Sequence, residues 1–278
     1  MARVQTTVPA RRRIAAEEFA AALVACGAGA RDAVFLHSDV RRCGRAEGRA
    51  PREKLDTVLH GLAAAVPDGV LVLPTFTYSF TRGEPFDVEE SPSTVGGLGE
   101  RFRALPGVRR TPEPIFSTAL RGELEAPWEE RLMAVGDKDC FGPESVFAWL
   151  VEQDGLIAFL DVPFQACTFV HHVEQRLGVP YRYRKVFAGE VRAGAERRHV
   201  RAHYLVRHLD QDVVTDAMPL WGELVREGVT RSAQIPGGPG LDAVRARAVL
   251  EVAGRRMAEN PDFLLERGHR REPRPQVA

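Results

Sequence analysis

The chain has 278 residues and a mass of 30.7 kDa, long enough for one large α/β domain or two small ones and too long for a disulfide-stapled miniprotein. Hydrophobic residues at 44% and charged residues at 27% exclude a fibrous or wholly disordered chain, while Lys plus Arg equals Asp plus Glu at 38 each, which removes the long-range field of a nucleic-acid binder. The basic N-terminus meets Glu17 and Glu18 before any long apolar run, and no stretch reaches the roughly 18 apolar residues of a membrane span, so the expectation is a cytoplasmic protein.

Residues 1–13 lack periodicity and read as a loose arm, and Ile14, Phe19, Leu23 and Val24 then approximate helical spacing as far as Gly27-Ala-Gly29. Ala33-Val-Phe-Leu36 reads as a buried strand that delivers His37-Ser38-Asp39 into a loop. After Pro51, the spacing of Leu55, Val58, Leu59 and Leu62 predicts a helix up to Pro67, and Val70-Leu-Val-Leu73 predicts a second buried strand. Strand, helix and strand in this order make a crossover unit of a parallel sheet. The following Thr75–Pro92 stretch, aromatic and rich in Gly and Pro, is a loop at the strand edge where open α/β sheets bind ligands.

Further along, Ser93 is expected to cap a helix through Phe102, Pro114–Leu120 to form a strand, and Glu144–Gln153 a short helix. Leu156-Ile-Ala-Phe-Leu160 predicts a third buried strand, feeding a helix over Thr168–Leu177. From Tyr181 the alternation of Val186, Val191, Val200 and Tyr204 points to antiparallel strands, followed by helices over Leu220–Val225 and Leu241–Arg256. The fold class expected is α/β: a mixed, largely parallel central sheet flanked by helices, with an antiparallel extension in the C-terminal part. Residues 1–266 are taken as one domain and 267–278 as a disordered tail.

Three polar clusters converge at the ligand edge of this sheet. His171 and Glu174, at i and i+3 on one helix, can set a carboxylate against an imidazole, the pairing suited to a general base; the alternative is one packed and one exposed histidine at 171 and 172 with a surface ion pair. His37-Ser38-Asp39 offers imidazole, hydroxyl and backbone N–H groups to a phosphate or carbonyl, or is simply a polar exit from a strand. Thr75 and Thr77 place hydroxyls just past the second strand, and Phe76, Tyr78 and Phe80 either wall a cleft or pack beneath the loop. Cys26, Cys43, Cys140 and Cys167 are widely spaced with no C-x-x-C pair, so neither a disulfide framework nor a zinc site is expected, and H-x-x-E is too short for a metal helix. No metal is expected. The glycines at 44–48 and 96–99 match neither a dinucleotide fingerprint nor a P-loop, and no G-x-S-x-G elbow surrounds Ser38.

The segments Phe35-Leu-His-Ser-Asp39, Leu73-Pro-Thr-Phe-Thr-Tyr-Ser-Phe80, Ser91-Pro-Ser-Thr-Val-Gly96, Arg110-Thr111 with Pro114-Ile-Phe-Ser117, and Cys167-Thr-Phe-Val-His171 through Glu174, taken together and in this order, resemble the motifs of the aminoglycoside 3-N-acetyltransferase family. The resemblance implies transfer of an acyl group from acetyl-CoA to an amine by direct attack in a ternary complex. It implies His171 as base with Glu174 as its partner and Thr75 at the reaction centre. His37, Ser38, Asp39, Thr75, Phe76 and Thr77 would line the CoA site, and Tyr78, Glu84, Asp87 and Glu113 would face the acceptor. The expected partners are acyl-CoA and a small-molecule amine, with room for a homodimer and none for nucleic acid or a membrane. Glu113-Pro114 stands where resistance enzymes tend to carry His-Pro, and Asp39 where a second serine is common. These departures, with Pro180-Tyr-Arg-Tyr183, look more like biosynthetic members than resistance enzymes; antibiotic resistance and a catalytically idle CoA-binding protein are the alternatives.

Overall fold

The computed structural model describes residues 12–209 and 213–266, so the expected tail and most of the N-terminal arm lie outside the described residues. The first half of the chain runs α1 (Ala16–Ala25), β1 (Ala33–Ser38), α2 (Pro51–Ala64), β2 (Val70–Pro74), β3 (Phe86–Asp87), α3 (Gly97–Arg103), β4 (Arg109–Arg110), β5 (Thr118–Arg121), α4 (Ala126–Met133) and β6 (Lys138–Asp139). The second half adds α5 (Val146–Glu152), β7 (Leu156–Leu160), α6 (Phe169–Leu177), β8 (Arg182–Ala193), β9 (Glu196–Arg207), α7 (Met218–Arg226), β10 (Thr230–Gln234), β11 (Gly240–Arg245) and α8 (Ala246–Glu259).

A seven-stranded sheet has the order β10-β11-β7-β1-β2-β5-β4. Parallel pairing is confined to β7-β1-β2 at its centre, and the flanking pairs are antiparallel. The apolar runs of β1, β2 and β7 are covered on both sides, as parallel strands require. Val34, Leu36, Leu71, Leu73, Ala158 and Leu160 face one core with α1, α2 and α3, whereas Phe35, Val72, Ile157 and Phe159 face another with α5, α6 and α8. A second sheet, β3-β8-β9-β6, packs Val191, Val200 and Ala202 against this Phe-rich core.

Local chemistry explains most boundaries. Pro51 opens α2, Ser145 caps α5 by accepting the Ala148 N–H, and Gly178 ends α6 in the left-handed conformation at φ 69°. α3 starts at Gly97 rather than after Ser93, because the Ser93 N–H donates to the Glu100 carboxylate and Gly96 takes the cap position. The expected strand at 114–120 begins only at Thr118: the Glu113 carboxylate accepts the N–H groups of Ile115 and Phe116 and closes a turn there. The expected helix over Leu241–Arg256 divides into strand and helix. Its first residues pair with β7, and Gly237-Gly-Pro-Gly240 forms the turn between β10 and β11 instead of a helix start. A free sheet edge outcompetes the i, i+3 spacing of Leu241 and Val244.

Candidate active site

Strands β1, β2 and β7 run parallel and release their chains at one edge. A cleft of about 440 Å³ opens there, lined by His37 and Ser38 at the end of β1 with Asp39 just after it, by Phe76 and Tyr78 after β2, and by Thr168 ahead of α6. Gly99 lets α3 close one wall, since a Cβ at that position would stand 2.2 Å from the Pro74 carbonyl oxygen. His37 stacks on Phe159 at 5.4 Å, its neighbour in the β1–β7 register. Burial lowers its pKa to about 3, so the ring is neutral, and its Nε2 has no hydrogen-bond partner in the protein. Asp39 is held by Arg41, whose side-chain and backbone N–H groups keep the carboxyl below its ordinary pKa.

α6 begins beside this cleft. His171 Nδ1 lies 2.7 Å from Glu174 Oε2, with the His171 side chain 26% exposed and that of Glu174 fully buried. Arg182 Nε stands 2.8 Å from the same carboxylate oxygen, and its side chain is only 7% exposed. Burial by itself would push the Glu174 pKa up; the hydrogen bond from His171 and the charges of His171 and Arg182 outweigh it and hold the carboxyl below its usual value. A carboxylate can only accept, so Nδ1 of His171 is the donor of this contact, and the tautomer it selects carries its lone pair on Nε2. The next histidine is different in kind. His172 is buried, donates from Nδ1 to the Phe141 carbonyl at 2.8 Å, and is held neutral by burial with a pKa of about 4. His171 itself stands outside the lining of the cleft, one turn from Thr168, and its ring packs against Phe141 at 5.5 Å.

A second cavity, of about 430 Å³, lies under the second sheet and contains Glu113, Asp139 and Arg184 in its wall. Glu113 accepts the Cys140 thiol at 3.3 Å as well as its two backbone donors, and burial pushes its pKa up to about 7.

The other expected site residues are placed as follows. Thr75 is fully buried: its hydroxyl donates to Ser117 O at 3.0 Å and accepts from Arg110 Nε, so it lies beneath the cleft rather than on its wall. Thr77 is also buried. Arg110 clamps this layer, donating to Thr75 O at 2.6 Å and Ser91 O at 2.5 Å. Glu84 is paired with Arg82 outside both cavities, and Asp87 accepts the N–H groups of Glu89 and Glu90 in a turn. Tyr78 and Phe116 join the two cavities edge to face at 6.0 Å. Arg182, Phe141 and Gln175 were not legible as site residues, because only the folding of β8 and the 139–145 turn onto α6 brings them there. Among the described residues no group of three or more His, Cys, Asp or Glu could hold a metal ion, and no helix is long and apolar enough to cross a membrane.

Comparison with known proteins bears on the fold and on the family. No curated protein matches the chain at a significant level. Among solved structures, AAC-IIIb as a binary complex with CoASH is 22% identical with a TM-score of 0.72, covering 88% of this chain and 96% of its own. Aminoglycoside acetyltransferase AAC(3)-Xa is 21% identical with a TM-score of 0.73, covering 91% and 94%, and YokD from Bacillus subtilis is 16% identical with a TM-score of 0.72, covering 90% and 95%. Identities this low speak for the fold. The model of the aminoglycoside 3-N-acetyltransferase family matches residues 35–258, from within β1 into α8, a span that takes in both cavities and the helix between them, and the chain belongs to that family.

Proposed function

We propose that the protein is an acetyl-CoA-dependent N-acyltransferase that moves an acetyl or other short acyl group to a primary amine of a small molecule. The observation that carries this reading is the buried Glu174 carboxylate, 2.7 Å from His171 Nδ1, which leaves Nε2 of a partly exposed ring free to accept a proton. The cleft at the ends of β1, β2 and β7 is the site for the thioester arm of acyl-CoA, with His37, Ser38 and Asp39 at one wall and Phe76 and Tyr78 at another. Thr75 and Thr77 act as supports of that wall from below.

The acceptor reacts as the neutral amine. As its nitrogen forms the new N–C bond to the thioester carbonyl, His171 Nε2 takes a proton from that nitrogen. The C–S bond breaks with its electron pair on sulfur, and His171 passes the proton to the sulfur, giving amide and free thiol. Glu174 stabilises the transient imidazolium, and Arg182 keeps Glu174 ionised in its buried position. A second reading, inactivation of an aminoglycoside by the same chemistry, is favoured by the family itself and is read from whether expression raises the tolerated drug dose.

The test is release of thiol from acetyl-CoA in the presence of amines, by wild type and by His171→Ala. Loss of turnover with CoA binding intact supports the reading; full activity in the variant removes the proposed base.

A further inference from the structure

Thr168, His171 and Gln175 follow one another along one face of α6 at helical spacing. Thr168 lines the cleft at the strand ends, while Gln175 donates to Asp139 at 2.8 Å, and Asp139 is part of the wall of the second cavity. His171 lies between Thr168 and Gln175 in sequence, lines neither cavity itself, and touches Phe141, from which the ring chain runs through Phe116 to Tyr78. If the cleft at the strand ends takes the thioester arm, the second chamber, reached from the same helix through Gln175 and Asp139, is left for the acceptor.

The two aspartates of this second chamber are already paired, and Glu144 is a carboxylate of its wall that no arginine among the described residues holds. Asp137 is gripped by Arg201 through the backbone N–H at 2.8 Å and through Nε and Nη2 at 2.9 and 2.7 Å. Asp139 is paired with Arg184. Lys138 adds a cation to the same wall, and Glu144 is exposed. Glu113 is engaged by Ile115, Phe116 and Cys140, and with its pKa raised to about 7 much of it is protonated near neutral pH, able to offer a hydroxyl donor without a cation. The carboxylates of the 84–90 loop do not supply the missing negative charge, because Glu84 faces Arg82 and Asp87 is the acceptor of its own turn. The rest of the wall includes the apolar Phe116, Leu132 and Val146.

Resting on the acyl-transfer reading and deepening it, we propose that this chamber holds the acceptor and is built for a compact amine of low charge, not for a polycation. A polycation needs unmatched carboxylates; here arginines from β8 and β9 hold the two aspartates that would greet it.

The experiment measures thiol release from acetyl-CoA with glucosamine, a single-amine probe, and with gentamicin, a polycation. Wild type is expected to show a kcat/KM for glucosamine at least about tenfold above that for gentamicin. In Arg184→Ala/Arg201→Ala the gentamicin value should rise by about tenfold, with glucosamine changed far less, because Asp139 and Asp137 are then free. Arg201→Gln alone, altering one exposed side chain, should shift the preference the same way by a smaller factor. Wild type that prefers gentamicin, or variants that leave the preference untouched, overturn the proposal while leaving acyl transfer standing. Absence of thiol release with either amine, CoA binding being intact, overturns both.

Discussion

The cleft at the strand ends and the chamber under the second sheet are made of different material. The cleft at the strand ends is formed by strand termini, a glycine-rich segment and aromatic rings, and its one buried imidazole, His37, is kept neutral. The chamber under the second sheet is formed by paired ions and a turn closed by Glu113. The first is a product of the parallel sheet, whose edge is the same wherever the strands end together. The second depends on side chains of β8, β9 and the segments 111–116 and 132–146, which lie outside the parallel strands β7, β1 and β2. Binding of a fixed group belongs to the first kind of site and choice of a variable one to the second.

His171 lines neither cavity, yet its removal should be the most damaging single change. His171→Ala is expected to lower kcat by about 10²- to 10⁴-fold while acetyl-CoA binding measured by calorimetry is preserved; equal loss of binding would mean that the ring belongs to the cleft and not to the transfer step. Glu174→Gln should cost about 10²-fold in kcat, and it leaves Arg182 buried without its anion, so it also destabilises the fold by about 3 kcal/mol in denaturant titration. An unaltered kcat there would show that the carboxylate only packs.

Gly99→Ala separates the chambers. The new Cβ meets the Pro74 carbonyl, so β2 and α3 must part, costing about 1–3 kcal/mol and raising the KM for acetyl-CoA while the acceptor KM is little changed. A rise in the acceptor KM alone would reverse the assignment of the two sites.

The other chamber is tested by an effect confined to one pH window. Glu113 has a folded pKa near 7 against an ordinary 4.5, so the native state binds its proton more tightly than the unfolded chain does. Its contribution is fully present below pH 4.5 and is lost as pH rises towards 7, after which it is constant. Glu113→Gln should therefore gain on wild type across that window by about 1–3 kcal/mol and run parallel to it above. Cys140, by its hydrogen bond, and Lys138, by its charge, oppose the rise of the Glu113 pKa, and a difference independent of pH would place the Glu113 carboxylate in water.

Much of the central sheet was legible because burial leaves a simple trace. Ala33–Leu36, Val70–Leu73 and Leu156–Leu160 are continuous apolar runs, and only strands covered on both faces carry such runs at that length. The polar β10, Thr230–Gln234, and the two-residue β3, β4 and β6 carry no such trace, since their pairing is decided by partners far away in sequence. Leu241–Arg245 shows the conflict directly: its spacing suits a helix, but the edge of β7 was available.

The same division runs through the site. The three-residue spacing of His171 and Glu174 was enough to put them in contact, because helix geometry alone sets that distance. Which of two adjacent histidines keeps an accessible ring was decided by tertiary packing, which buries His172 on the Phe141 carbonyl and leaves His171 partly open. Thr75, expected at the reaction centre, was drawn inward by Arg110 and Ser117, for a buried guanidinium must find acceptors wherever the fold brings them. Sequence determined the local pairs and the buried strands, whose physics is short-ranged; the charge of the second chamber was decided only when two hairpin arginines came to rest on two distant aspartates.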